Sequence, residues 1–183
     1  MVIAAYLHDP VVHLTSAAGL ALLLGASALH KLRDRPGFAR VLAGYDHAFG
    51  GRLPVAALAW ALPLLELLAA VGVLASFWSP LAAWPAVLLL GLYATALALG
   101  ARRGAVIGDC GCHLGGTRQP PSTALAWRNL LLVVLALNLL APVVARPLTG
   151  LDAPVLGFAL GCGVALYLLA NLLISNRLSL REP

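Results

Sequence analysis

Five long apolar runs, at about residues 11–32, 53–77, 80–101, 122–145 and 153–175, decide what this chain can fold into. Each is long enough to cross the roughly 30 Å hydrocarbon core of a bilayer as a helix. Lipid offers no hydrogen-bond partner to a bare backbone, so a spanning segment is either a helix or part of a closed barrel. The runs are rich in Leu and Ala and lack the alternation of barrel strands, which selects helices. Only 10% of the residues are charged, against roughly 25% in a soluble domain, so the chain lacks the polar surface for life in water. The expectation is an all-α, polytopic membrane bundle, four central helices plus a fifth C-terminal transmembrane helix, forming one integral domain over 1–183.

The first run lacks a basic leader and a small-residue cleavage site, so it reads as a retained span rather than a signal peptide. Ser76 to Pro80 reads as a tight turn with Trp78 at the interface, and Pro120-Pro121-Ser122 as a stop and cap before the fourth run. Two connections are substantial, 31–52 and 102–121. Within the first, the portion from Pro36 to Tyr45 has the pattern of a short amphipathic helix at the interface. Gly157 and Gly161 form a small-xxx-small pair whose leading reading is packing within the bundle. Cys162, beside Gly161 and Gly163, reads as a small packing residue.

The net charge of +5 does not point to nucleic acid, because no basic stripe with interleaved aromatics is present. Five spans place both long connections and the C-terminal tail on one side of the membrane. That side carries eleven of the twelve Lys and Arg residues, and the other carries only Arg146. The positive-inside rule then predicts an outside N-terminus, with 102–121 at the cytoplasmic face. On the same rule His30 and Lys31, and Arg128 beside Trp127 and Asn129, read first as anchors at span ends and second as a shared polar patch.

Chemistry concentrates in the second connection, as Asp109-Cys110-Gly111-Cys112-His113. Two cysteines one residue apart are suited to cycling between dithiol and disulfide, with Gly111 relieving strain in a tight ring. Strained disulfides are the labile, oxidising ones. Asp109 and His113 are placed to handle protons, and nearby arginines favour the thiolate. The alternative is a soft metal, zinc or copper(I), held by Cys110, Cys112 and His113 and joined by His47.

Glu66 lies near the middle of the second run, where an ionisable group costs at least about 2.5–3.5 kcal/mol to insert. It reads equally as a helix-locking acid bonded to Asn138 and as a functional group that relays protons or contacts a quinone.

Four blocks together resemble the methylamine-utilisation MauE family, within the wider DoxX-like membrane proteins. They are Ala26 to Asp34 with Phe38 and Tyr45, Leu62 to Leu67, Asp109 to Cys112, and Arg128-Asn129-Leu130. The family's cysteine motif usually continues as Cys-Gly-Cys-Phe-Gly, whereas His113 and Leu114 follow here, which leaves the thiol pair intact and favours metal slightly more. The resemblance implies a bacterial plasma-membrane protein that helps mature a disulfide-rich exported subunit, that of methylamine dehydrogenase, alongside a thioredoxin-like partner. It thereby implies a thiol–disulfide oxidoreductase or an accessory to one. Disulfides form outside the cytoplasm, whereas the charge count puts Cys110 and Cys112 inside. Electron exchange with the cytosol, a loop dipping into the bundle and an inverted topology all remain open.

Overall fold

The computed structural model describes residues 8–102, 122–144 and 146–179, and its secondary structure is helical throughout them. Asp9 caps the first helix, α1 (Pro10–Arg33), by accepting from the Val11 N–H at 2.8 Å, with Pro10 in the first turn where no amide is missed. Asp34 closes α1 and at once caps α2 (Arg35–Phe49), accepting from the Gly37 N–H at 2.9 Å. The helix α2 buries Phe38, Leu42 and Tyr45, a spacing that puts all three on one face. That face lies against α3 (Val55–Ala75). Gly50 and Gly51, with φ of 95° and 71°, turn the chain from α2 back towards α3.

After α3 a short 3-10 turn, Pro80–Ala83, leads into α4 (Trp84–Arg102). The close approach there depends on Gly72, whose missing Cβ would sit 2.3 Å from the Ala82 carbonyl oxygen. Two further helices follow, α5 (Thr123–Asn138), capped by Ser122, and α6 (Asp152–Ser179). The most extensive packing is of α1 on α3 and of α4 on α5. Alanines at 28, 69, 83, 86 and 136 are fully buried, which lets backbones come close in the absence of a hydrophobic drive within lipid.

Four stretches are long and apolar enough to span a bilayer: Pro10–Arg33, Val55–Ala75, Pro80–Arg102 and Asp152–Ile174. The helix α5 is shorter than its apolar run. At 16 residues it is about 24 Å long. Pro142 disfavours helix in the residue before it, and the chain leaves the helix through tight turns at Leu139, Leu140 and Ala141. The segment beyond is pinned to the start of α1, where His8 Nδ1 donates to the Pro142 carbonyl and the Val144 N–H donates to the His8 carbonyl, both at 2.9 Å.

The helix α6 is peripheral. Expected packing at Gly157 and Gly161 is not found: both are exposed, and a Cβ on either would meet nothing within 4 Å. Cys162 is likewise exposed rather than packed. The reason is that α6 attaches elsewhere, through Tyr167, Asn171 and Ile174 and, at its first turn, through Asp152.

Candidate functional site

Glu66 sits three residues past Pro63 on α3 and is completely buried. A carboxylate there demands donors, and α1 and α4 supply three to the same oxygen. Oε1 accepts from Ser27 Oγ at 3.0 Å, from Tyr93 Oη at 2.8 Å, and from Lys31 Nζ in a short ion pair. Lys31 is 2% exposed, also donates to Tyr93 Oη at 3.2 Å, and lies over the rings of Phe38 and Tyr93. Three donors on one oxygen are what an ionised carboxylate accepts.

The other oxygen, Oε2, is buried without a partner. It belongs to a small cavity of about 40 Å³ lined also by Tyr93, Arg128, Asn129 and Tyr167. Arg128 and Asn129 are buried at 9% and 3% exposure. Arg128 donates to Asn171 Oδ1 in a short bond and stands 5.2 Å from the Tyr167 ring centroid. Its Nε has no partner, while Asn129 returns a bond to the Leu125 carbonyl at 3.0 Å. A cavity of this size is large enough for a water molecule.

Two expectations are corrected here. Lys31 and Arg128 are not interfacial anchors, because both cations are drawn inside to polar partners. Glu66 pairs with Lys31, Tyr93 and Ser27 rather than with Asn138, because α5 ends at Asn138 and carries that residue to the opposite end of the bundle. Ser27 and Tyr93 carried no signal in the sequence. One hydroxyl in an apolar run looks the same whether it faces lipid or a neighbouring helix.

Asp109, Cys110, Cys112 and His113 lie outside the described residues. The flanking helix ends, Arg102 and Ser122, are at the Lys31 end of the bundle, where Leu97 of α4 packs on Leu125 of α5. His47 is exposed near the end of α2. Among the described residues no cluster of three or more His, Cys, Asp or Glu side chains could hold a metal.

A polytopic helical bundle built around a buried Lys–Glu–Tyr cluster defines an integral membrane protein whose polar interior is assembled from α1, α3 and α4. The chain belongs to the family described as Methylamine utilisation protein MauE, whose family profile matches residues 9–142. It is 36% identical over 169 residues to methylamine utilization protein MauE of Paracoccus denitrificans, covering 92% of this chain and 90% of the relative. The protein of the same name from Methylophilus methylotrophus is 33% identical over 173 residues, covering 91% and 88%. That from Methylorubrum extorquens is 34% identical over 160 residues, covering 86% and 83%. No solved structure matches the chain.

Proposed function

We propose that this protein is an integral membrane thiol–disulfide protein that assists disulfide formation in an exported partner during methylamine utilisation. The observation that carries the reading is the Cys110-Gly111-Cys112 spacing in a chain of this family. In the cycle, one thiolate of the reduced pair attacks the disulfide of a thioredoxin-like protein, and the second cysteine resolves the mixed disulfide. The pair is then a disulfide and the thioredoxin-like protein a dithiol. Two thiols of the exported substrate return the pair to its reduced form and become a disulfide themselves, so two electrons and two protons pass along the chain. Asp109 and His113 handle protons beside the sulfurs. Glu66, bonded to Ser27, Lys31 and Tyr93, ties α1, α3 and α4 together within the bundle.

Single Cys110→Ser and Cys112→Ser variants test this. The reading predicts that one of them accumulates a mixed disulfide with a thioredoxin-like protein, visible on a non-reducing gel and lost on reduction. Full complementation of a deletion strain by both variants contradicts it. The charge bias favours the cytoplasmic face for this connection, whereas direct exchange with an exported substrate needs the thiols outside. Labelling of both thiols by a membrane-impermeant maleimide in intact cells is expected for this cycle, and protection of both contradicts it.

A second reading is favoured by His113, which directly follows Cys112. Cys110, Cys112 and His113 would then hold zinc or copper(I) in a non-enzymatic accessory subunit. Elemental analysis separates the two readings, since one soft metal per chain surviving gel filtration supports only this one.

A further inference from the structure

Tyr93 lines two cavities, and the second is of a different kind. It encloses about 360 Å³ between α2 and α4 and is lined by Phe38, Tyr45, Phe49, Leu62, Leu97 and other apolar side chains, with Lys31 at its wall. That volume falls within the roughly 300–1,000 Å³ of small-molecule sites. Its mouth is on the lipid side of α4, where the lining residues Leu92 and Leu99 are 54% and 45% exposed. A membrane-dissolved molecule therefore has a lateral way in.

We propose that this cavity binds a lipid-soluble quinone, ring inward and chain leaving between Leu92 and Leu99. Three observations select that chemistry. First, Lys31 spends two of its three N–H donors on Glu66 and Tyr93, and the third is left for an acceptor such as a quinone carbonyl. Second, the Lys31 charge is already balanced by Glu66, so a carboxylate or phosphate head would meet a neutralised cation beside a carboxylate. A neutral acceptor pays no such penalty. Third, the inner wall is aromatic: Tyr45 and Phe49 stack with their planes 9° apart, and Phe38 and Tyr93 flank the ammonium, which suits a flat ring. This site is built from α1 to α4 and is separate in sequence from the cysteine pair.

The test uses the purified full-length protein in detergent and decylubiquinone as the probe. Saturable binding at one molecule per chain is expected. Val41→Trp, which fills the cavity from α2, weakens it by about tenfold or more, the loss that one hydrogen bond to a charged donor or its displacement brings. The double variant Lys31→Met with Glu66→Leu does the same. Replacing a buried ion pair whole is tolerated far better than breaking it, so this variant, with its melting temperature read alongside, keeps the test decisive if Val41→Trp loses its fold. Decanol and oleate should not displace the probe at equal concentration. Non-saturating uptake, unchanged affinity in the folded double variant, or equal displacement by decanol overturns the assignment, the last giving the cavity to any alkyl chain.

Discussion

Glu66 accepts from residues of two other helices through a single oxygen, so the cluster joins α1, α3 and α4 at one point. Removing one member leaves the other charge buried and uncompensated, at a cost of about 3–5 kcal/mol. Lys31→Met is therefore expected to lower the unfolding midpoint steeply, and adding Glu66→Leu should recover most of the loss. A double variant no more stable than Lys31→Met in thermal unfolding would show that the pair is not the source of the effect. Tyr93→Phe removes both the bond donated to Glu66 and the one accepted from Lys31 and should cost at least about 1.5–3 kcal/mol, with the ring still in place. Lys31, Glu66 and Arg128 are the charges embedded in the apolar runs, and only Glu66 read as functional from the sequence. The other two sit close to span ends, where cations normally serve as anchors. A helix in lipid is apolar all round, so no polar stripe tells which face turns inward. Partner choice appears only once the packing is known.

Among the elements, the hinge between α3 and α4 and the joint between α1 and α2 are the most exacting. Gly72→Ala forces a Cβ against the Ala82 carbonyl and should destabilise by about 1–3 kcal/mol. Gly157→Ala meets nothing and should leave the melting temperature unchanged or slightly raised, since alanine is the better helix former, which makes it the matched control. Asp34→Ala removes the α2 cap at about 1 kcal/mol, with faster amide exchange confined to the first turn of α2 as its signature. The apolar runs made the helices legible, and the amphipathic pattern around Phe38 and Tyr45 pointed to α2. The end of α5 was not legible: Leu139 and Leu140 continue the apolar run, and the stop comes from Pro142 and from the bonds that His8 makes across the bundle.

At the scale of the whole molecule, charge is divided between the two ends. The His8 end is closed by Arg146, which donates to Asp9 at 2.8 Å and to Asp152 at 2.9 Å, joining the entry to α1 with the first turn of α6. The Arg146 hydrogen bonds hold the Asp9 carboxyl below its ordinary value of 3.8 and lower that of Asp152 as well, and the Asp152 and Asp9 carboxylates in turn raise the guanidinium further. With a lowered folded-state value, the stabilisation from Asp9 is present above 3.8 and is lost as pH falls through the folded value. Asp152, held by the same guanidinium, acts in the same direction, so Arg146→Ala should flatten that acid limb in a pH series of unfolding midpoints, and an unchanged limb would remove the Asp9–Arg146–Asp152 cluster as its cause. At the other end gather Arg33, Arg35, Arg40, Arg52 and Arg102, and this remains the basic end after Lys31 and Arg128 are withdrawn into the interior. The chain enters and leaves the cysteine connection there.

Whether Cys110 and Cys112 form one redox couple is the central question, and a glutathione redox titration of the purified full-length protein answers it most directly. Cys162, exposed on α6, is first replaced by Ala so that only the pair reports. Alkylation followed by intact-mass measurement counts the free thiols at each poise. Both thiols are expected to disappear together in a single two-electron transition. Thiols that remain alkylated across the whole series, or that vanish one at a time as glutathione adducts, would contradict it.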